Sequence, residues 1–502
     1  DALSMYMRNG PRFPKTGVSR INLYSVFAEH GCFLLAPTGR LGYVLASGIA
    51  TDDNNKDLFW YLVDKSRLAF VFDFENREGI FKDVDSRYKF ALLAVTGNKL
   101  ESSQADFAFY LTNMEQLEET ERHFTLTREE LYLLNPNTKT CPTFRNRAEA
   151  ELTKYIYKRV PAWELQEKTD EWPGRPKTPF NMSNDSGLFM TADELILKEG
   201  DGKTYLPLYE SKFTHQFNHR FATFEGCSGD NPRDLSVIEL ADPEKYVKAR
   251  YYLDKAILEK RYEGKWFLVY RKIARATDER TCITAILPQV PCGDSLILVD
   301  SLNSTGVIKV SADSNSIVHD YMVRQKVGGM NFSHWQWHQI PLVPIARYGE
   351  YCTWDQQTAT NYTWLLPRVL ELVYTAYDLT DFAGAVGWRK PPFTWNPARR
   401  FMIQCELDAA YFHWYLGTTE EWQQKGGTEL LKHFPTPRDA ASYILDSFPI
   451  VNNRDQTTYG ELRTKNTILR MYDTMSDAMQ NGSDYRSELD PPPGDERACH
   501  EK

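Results

Sequence analysis

The sequence lacks several features that would place it in common functional classes. No apolar run approaches the roughly 18 residues of a membrane-spanning helix, and the first residues show no charged-then-apolar signal pattern. The eight cysteines include no C-x-x-C pair, which argues against a zinc ribbon and, in a chain of 502 residues, against a disulfide framework. We therefore expect a cytoplasmic protein with reduced thiols, no metal site and no membrane contact.

The sequence also lacks an excess of positive charge. The chain has 59 Lys and Arg residues against 68 Asp and Glu residues, so its net charge is −9. This balance argues against a protein held to nucleic acid by bulk positive charge, although it leaves room for local basic patches. Residues 1–128 carry −2, residues 129–345 carry −1 and residues 346–502 carry −6, so the acidity is concentrated at the end of the chain.

The first region alternates helix-like and strand-like hydropathy. The pattern predicts helices at 22–35 and 57–63, and strands at 41–46, 68–74 and 90–95. Alternating elements with short connections are typical of an α/β unit that carries helices on a mostly parallel sheet. We assign this unit to residues 1–128.

The rest of the chain divides into two further regions that differ in their predicted secondary structure. Residues 129–345 combine a helical, charged segment at 148–159 and an irregular stretch at 161–184 with short strands and turns that dominate from Trp266 to Pro344. We expect a mixed α+β domain there. Residues 346–502 are predicted to be helical at 365–377, 399–416 and 464–479. A charged, proline-rich tail follows from Pro491, and its composition predicts disorder.

Two H-x-x-x-H pairs are candidate metal ligands, His215 with His219 and His334 with His338. The zinc protease pattern requires Glu directly after the first histidine, and here Gln216 and Trp335 stand in that place. Ordinary polar histidines explain these pairs better than a metal does.

Two other motifs fall short of a catalytic assignment. Glu210 and Lys212 form the second half of a metal-dependent nuclease motif, but an ion pair explains them more simply. Lys390-Pro391-Pro392-Phe393 resembles an amino-methylation motif, yet lysine offers only donors where an acceptor is needed. No G-x-G follows a predicted strand and opens a helix, so no cofactor loop can be assigned.

Three basic groups in the middle region are candidates for DNA contact. They are Lys212 with His219 and Arg220; the segment from Arg271 to Arg280 with Arg275 and Thr277; and Arg324 with Lys326, Gly328 and Gly329. Arginine and lysine suit phosphates, arginine also suits guanine edges, and glycine lets the backbone approach a phosphate closely. Each group taken alone is explained as well by a solvated face.

Longer segments carry a family resemblance. In the first region they are Asn22-Leu23-Tyr24, Gly39-Arg40-Leu41-Gly42, and Phe74-Glu75-Asn76-Arg77-Glu78-Gly79 with Phe81. Later ones are residues 135–142, 207–212, 219–222, 274–281, 324–329, 367–372 and 406–411. Over nearly its whole length the chain resembles the large adenine-specific DNA methyltransferases of type IIG-like restriction–modification and related phage-defence systems. Ser211 and Asn218 depart from the usual glycine and aspartate, which bears on sequence preference.

The resemblance implies a fold and a role for each of the three regions. Residues 1–128 would be the C-terminal half of a Rossmann-like methyltransferase domain, residues 129–345 a DNA target-recognition domain, and residues 346–502 a helical C-terminal region. The methyl donor would be S-adenosylmethionine, and the partner would be double-stranded DNA. In this family the cofactor loop and the Asn-Pro-Pro-aromatic element precede the helix that begins near Asn22, so we expect both upstream of Asp1, in a missing N-terminal methyltransferase or nuclease portion.

The resemblance also implies roles for individual residues. Phe81 would contact the flipped base, and Asn76 and Arg77 would line the catalytic cleft. The DNA contacts would be Lys212, His219, Arg220, Arg271, Arg275, Thr277, Arg280, Arg324 and Lys326. Two alternatives remain, a DNA-binding specificity module without catalysis and a metal-dependent nuclease that uses Glu210 and Lys212.

Overall fold

The computed structural model describes residues 2–18, 21–100, 102, 104–169, 172, 174–198, 200–300, 302–327, 329–355 and 358–501. The chain forms two compact units. The first unit comprises Asp1–Leu165 with Gln423–Pro435, and the second comprises Gln166–Trp422 with Thr436–Lys502. The three-domain division drawn from the sequence stays a prediction.

The first unit is built on a five-stranded sheet. Its strands are β1 (Arg40–Ala46), β2 (Leu68–Glu75), β3 (Lys89–Thr96), β4 (Ala105–Leu111) and β5 (Phe124–Leu126), in the order β1-β3-β2-β4-β5. Its helices are α1 (Ala2–Asn9), α2 (Leu23–Leu34), α3 (Gly48–Thr51), α4 (Lys56–Asp64), α5 (Arg128–Leu134) and α6 (Arg147–Arg159). The strands and helices predicted for the first region are confirmed as α2, β1, α4, β2 and β3.

The prediction of a mostly parallel sheet is wrong. Among the pairings of the described strands in this sheet, only β2–β4 is parallel, whereas β1–β3, β3–β2 and β4–β5 are antiparallel. The connections explain the difference, because a parallel neighbour requires a crossover that is usually a helix. Residues 76–88 and 112–123 contain only short 3-10 turns, so β3 and β5 each return antiparallel to the strand before them.

The second unit begins with small sheets and short helices. Its strands are β6 (Arg175–Lys177), β7 (Met190–Thr191), β8 (Tyr205–Pro207), β9 (Ala222–Thr223), β10 (Arg233–Asp234), β11 (Tyr251–Asp254), β12 (Trp266–Arg271), β13 (Thr284–Pro288) and β14 (Leu296–Asp300). They form sheets in the orders β13-β12-β14-β6, β7-β11-β8 and β10-β9. The helices of this part are α7 (Ala192–Ile196), α8 (Val237–Ala241) and α9 (Lys255–Arg261). The core lies on the four-stranded sheet, around Val269, Ala285 and Leu298.

Helices fill the rest of the chain. They are α10 (Ser304–Asn315), α11 (Ile317–Arg324), α12 (His334–Trp337), α13 (Ile345–Gly349), α14 (Asn361–Val373), α15 (Thr380–Ala385), α16 (Pro397–Leu416), α17 (Thr419–Lys425), α18 (Gly427–His433), α19 (Pro437–Asp446), α20 (Pro449–Tyr459) and α21 (Arg463–Asn481). Of these, α18 belongs to the first unit. The predicted helical C-terminal region is confirmed. None of the described helices is both long and apolar enough to cross a membrane.

The prediction of a disordered tail is wrong. The carbonyl of Pro491 accepts a hydrogen bond from Arg399 at 2.9 Å, and the Gly494 N–H donates to Glu371 at 2.8 Å. Near the end, the N–H of His500 donates to the carbonyl of Pro392 at 2.9 Å. Composition alone favoured disorder, but these contacts with α14, α16 and the segment before α16 supply the order.

Candidate nucleic-acid interface

The loop that joins β12 to β13, residues 272–283, carries several of the predicted DNA-contact residues. Its tip exposes Arg275 and Thr277, together with Ile273, whose exposed fraction is 54%. The N–H of Arg275 donates to the carboxylate of Asp278 at 2.9 Å, which closes a turn at the tip. We call residues 272–283 the β12–β13 loop.

The base of the β12–β13 loop is fixed by one buried carboxylate. Asp320 on α11 is fully buried and accepts the N–H groups of Thr281 and Cys282 at 2.9 and 2.7 Å. It also lies 2.8 Å from Nε of Arg280. Because the base is buried and bonded while the tip is exposed, the loop presents Arg275 and Thr277 in a defined position.

Arg324 ties the same loop to the helical region. Its guanidinium donates to the carbonyls of Asp278 and Glu279 at 2.6 and 2.8 Å. It also donates to the carbonyl of Ser447, and its Cζ lies 4.0 Å from the ring centroid of Phe448. Its role here is to hold the loop, since only 11% of its side chain is exposed.

A second loop, residues 325–333, lies against the first. The N–H of Ala274 donates to the carbonyl of Met330 at 3.1 Å, and the N–H of Phe332 donates to that of Lys272 at 2.7 Å. The exposed Gly329 and Met330 thereby join Arg275 on one surface, and Lys326, in the same loop, is half-buried. The structure therefore brings two of the three predicted basic groups together. Gly328 lies outside the described residues.

The remaining basic group is mostly internal. Lys212 keeps 34% of its side chain exposed and lies 3.4 Å from Glu210 and 4.8 Å from the ring centroid of Phe224. His219 is buried and 2.9 Å from a carboxylate oxygen of Asp378. Arg220 is fully buried, and its guanidinium donates to the carbonyls of Leu240, Asp242, Lys245 and Thr375.

Arg271 links this group to the β12–β13 loop. It donates to the carbonyl of Thr214, and its Cζ lies 5.8 Å from the ring centroid of Phe221. Burial lowers the pKa of Arg271 to about 10, so the guanidinium stays charged at neutral pH.

Charged side chains of both signs line a cleft at the base of the loop. Arg280 lines a cleft of about 240 Å³ together with His215, Asp408 and Arg454. Burial, and after it Arg271, Arg280 and further arginines, lowers the pKa of His215 to about 3. The histidine is therefore neutral, first because it is buried and second because arginines lie around it.

Exposure sorts the nine predicted DNA contacts into two sets. Arg275, Thr277, Lys212 and Lys326 reach the surface, whereas His219, Arg220, Arg271, Arg280 and Arg324 bond within the protein. In this conformation only the four residues of the first set can touch duplex DNA directly. DNA binding by any of the nine residues stays a prediction. Sequence reasoning missed the anchor Asp320 and the exposed Ile273 and Met330, because no motif marks them.

The first unit contains the predicted catalytic residues. Asn76 is buried, accepts the N–H of Phe81 at 2.9 Å, and donates to the carbonyls of Phe81 and Val84. The Phe81 ring is 43% exposed and packs edge-on against Phe90 at 4.9 Å between centroids. Arg77 is exposed and pairs with Glu75. The structure therefore brings these residues together in one loop, where Asn76 shapes the turn that presents Phe81.

A perturbed carboxyl lies beneath this loop. Asp73 is 4% exposed, and its Oδ1 has no hydrogen-bond partner. Burial raises its pKa to about 6, although Ser47 and Lys89 partly oppose the shift. Tyr110, whose backbone N–H also lies beside Asp73, has a positive φ of 60°, which is uncommon for a bulky residue. Sequence reasoning missed Asp73, since a lone aspartate in a strand carries no signal.

The residues considered as metal ligands or as a nuclease site do not come together with further ligating side chains in the described part of the chain. His215 and His219 lie on a tight turn in which the N–H of His215 donates to the carbonyl of Asn218 at 2.7 Å. Glu210 and Lys212 pair with each other within one turn. The described residues contain no group of three or more His, Cys, Asp or Glu side chains that could hold a metal ion.

Comparison with known proteins found only distant structural neighbours. No protein-family model and no curated protein matched the chain. The type IIG restriction endonuclease BpuSI aligns with a TM-score of 0.30 and 13% identity over 76% of this chain and 51% of that one. The type IIL restriction–modification enzyme MmeI, in complex with DNA, aligns with a TM-score of 0.35 and 10% identity over 94% and 54%.

A third neighbour is the ATP-dependent type ISP restriction–modification enzyme LlaBIII, bound to DNA. It aligns with a TM-score of 0.28 and 8% identity over 59% of this chain and 22% of that one. The chain thus spans about half or less of the length of these restriction–modification enzymes.

Proposed function

We propose that this chain is the DNA-recognition part of a site-specific adenine DNA methyltransferase in a restriction–modification or phage-defence system. The intact enzyme would transfer a methyl group from S-adenosylmethionine to the exocyclic amine of adenine. The observation that carries the proposal is the β12–β13 loop, where Arg275 and Thr277 are exposed on a base fixed by Asp320 and Arg324. The proposal rests on these residues and on the sequence resemblance.

A rigid loop with an exposed arginine suits the reading of bases. Sequence is read by side chains that reach base edges, and arginine pairs with guanine by two parallel hydrogen bonds. Reading requires that the side chain start from a fixed position, because each misplaced contact leaves a polar group unpaired. The bonds from Asp320 and Arg324 provide that position, and Lys212 and Lys326 would contact phosphates from the surface.

Phe81 supports a role for the first unit in base handling. An enzyme that modifies a base takes it out of the stack and holds it against aromatic or apolar side chains. An exposed phenylalanine on a loop that Asn76 closes can provide such a surface. We propose that the first unit is the later half of a Rossmann-like catalytic domain and that Phe81 contacts the flipped base.

The described residues assign no cofactor site. The G-x-G sequence of the chain, Gly200 to Gly202, lies in a turn before β8 and opens no helix. S-adenosylmethionine therefore belongs to the proposal through the resemblance alone, together with an N-terminal methyltransferase portion that would bind it.

Equilibrium binding to duplex DNA tests the proposal. Arg275→Ala should weaken binding to a recognised duplex by about fivefold to 150-fold, because a base contact is worth about 1–3 kcal/mol. Lys212→Ala should instead weaken binding to every duplex and reduce the slope of affinity against salt by about one. Arg389→Ala, at another exposed arginine, is the matched control. Unchanged affinity for Arg275→Ala in fluorescence anisotropy would contradict the proposal.

A further inference from the structure

The cleft of about 240 Å³ at the base of the β12–β13 loop lies wholly within the second unit. Its lining comes from the turn 215–217, the loop itself, and the helices α10, α11, α16 and α20. The space is several times the roughly 30 Å³ that one water occupies. It is smaller than the pockets of about 300 Å³ or more that enclose a whole drug-sized ligand. The cleft can therefore enclose one small ring system whose remainder stays outside.

One carboxylate in this cleft has an oxygen without a donor. Asp408 on α16 is 8% exposed, and its Oδ1 accepts the N–H of Ile317 at 2.7 Å. Among the described residues no group donates a hydrogen bond to its Oδ2. Burial raises the pKa of Asp408 to about 6, with Arg280 opposing the shift, so the carboxylate is charged at pH 8. Because a buried charged oxygen without a donor is costly, Asp408 favours a ligand that brings N–H groups.

Arg280 and His215 provide further polar groups in the same cleft. The Nη2 of Arg280 donates to the carbonyl of Asn315 at 2.6 Å, and its Nε lies 2.8 Å from Asp320. Within the described chain its Nη1 has no hydrogen-bond acceptor. The ring of His215 stacks on Phe221 at 4.9 Å between centroids, and neither ring nitrogen bonds to a described residue. A neutral imidazole has one donor and one acceptor, so the cleft offers a ligand both kinds of group.

Aromatic side chains contribute to the walls of the cleft. Phe217 and Phe401 both line it. Phe217 has a φ of 55°, which is uncommon for a bulky residue, and its carbonyl accepts a hydrogen bond from Arg400 at 3.2 Å. The Cζ of Arg463 lies 4.2 Å from the ring centroid of Phe401, and the exposed Arg454 also lines the cleft. Aromatic walls suit a flat ring, and the two arginines beside them suit an anionic group.

We propose that this cleft binds a free guanine mononucleotide. The N1–H and N2–H groups of the base donate to Asp408, and its O6 and N7 atoms accept hydrogen bonds from Arg280. The phosphate remains outside, near Arg454 and Arg463. Guanine is selected because it combines two adjacent N–H donors with the acceptors O6 and N7, whereas adenine and cytosine each offer one amino donor beside a ring acceptor. This inference does not depend on the proposed function, since it uses none of the surface-reaching DNA candidates.

Calorimetric titration of the full chain at pH 8 tests the proposal without DNA. Guanosine 5′-monophosphate should saturate one site at a concentration below about 1 mM. Adenosine and cytidine 5′-monophosphates should bind about fivefold to 150-fold more weakly, which is what one well-placed base contact is worth. Absence of saturable guanosine monophosphate binding, or equal binding of the adenosine nucleotide, would overturn the inference.

Asp408→Asn provides a change of specificity that a failure to fold cannot imitate. The amide keeps an acceptor and adds a donor, so it matches xanthine, in which a carbonyl replaces the 2-amino group of guanine. The variant should bind guanosine monophosphate about fivefold to 150-fold more weakly and xanthosine monophosphate more tightly by a similar factor. Asp446→Asn, at an exposed aspartate at the end of α19, is the matched control and should bind as the wild type does. Undiminished guanosine monophosphate binding by Asp408→Asn, or no gain for the xanthine nucleotide, would contradict the role of Asp408.

Arg454→Ala tests the position of the phosphate at an exposed site. It should weaken guanosine monophosphate binding by about twofold to fivefold, as expected for an exposed ion pair, and leave guanosine binding unchanged. Arg438→Ala removes another exposed arginine that pairs with an acid, Asp473, and should change neither affinity. Equal affinities of Arg454→Ala and Arg438→Ala for guanosine monophosphate would refute the proposed orientation of the nucleotide.

Discussion

At the scale of single residues, a buried acid, Asp320, anchors the β12–β13 loop together with Arg324. It accepts two backbone N–H groups and pairs with Arg280 inside the protein. A lysine or arginine cluster in a sequence shows neither whether each cation meets solvent or a carbonyl nor which acid anchors it. For this reason the exposed Arg275 and the buried Arg220 could not be told apart from the sequence.

Asp320→Asn should lower the free energy of unfolding by about 3 kcal/mol, because it leaves buried arginines without their counter-charge. Urea denaturation measures this loss. Glu279→Gln removes a carboxylate from the same loop, whose pair with Arg454 is exposed, and should cost less than about 1 kcal/mol. Equal losses for the two variants would contradict the anchoring role of Asp320.

Asp73 gives the first unit a pH dependence of known sign. Folding raises the pKa of Asp73 to about 6 through burial, so the unfolded chain loses this proton at a lower pH than the folded chain does. The contribution of Asp73 to stability is therefore greatest at acidic pH and declines as pH rises from about 4 to about 6.

Asp73→Asn removes the ionisable group and with it this decline. Relative to the wild type, the variant should gain about 2–3 kcal/mol of unfolding free energy between pH 4 and pH 8. Denaturant unfolding at the two pH values measures the gain, and Asp381→Asn, at an exposed position, is the control. A difference between variant and wild type that does not change with pH would refute the assignment.

At the scale of elements, hydropathy predicted the strands and helices of the first unit but not their directions. Spacing identifies β1, β2 and β3, whereas direction depends on the connection, and the loop 76–88 lacks the helix that a parallel crossover needs. The prediction of a disordered tail was wrong for a related reason. Its composition favours disorder, but its order comes from partners such as Glu371 and Arg399 that are distant in the sequence.

Gly494 marks the place where the tail meets α14. Its φ is +78°, and a side chain there would collide with Pro367. Gly460 has a similar φ of +72° but open space around it. Gly494→Ala should therefore destabilise the protein by about 1–3 kcal/mol more than Gly460→Ala. Both substitutions strain a backbone with positive φ, but only the first also brings a side chain into collision with Pro367. Thermal unfolding of the two variants gives the comparison, and equal midpoints would show that the tail does not pack there.

At the scale of the whole molecule, net charge does not decide whether this chain binds DNA. The net charge of −9 argued against binding through bulk positive charge. The proposed contact depends instead on the fixed position of one exposed arginine, which the net charge does not describe. Residue types and spacing could predict that residues 271–280 are a candidate contact. The fixed position of the loop, which depends on Asp320 and Arg324, required the structure.

The central claim is that the β12–β13 loop reads a DNA sequence. Selection of bound duplexes from a random pool tests this claim most directly. We expect the chain to enrich one sequence motif, Arg275→Ala to lose the preference at one position of that motif, and Lys212→Ala to leave the motif unchanged while weakening all binding. Enrichment of no motif, or an identical motif from Arg275→Ala, would contradict the account.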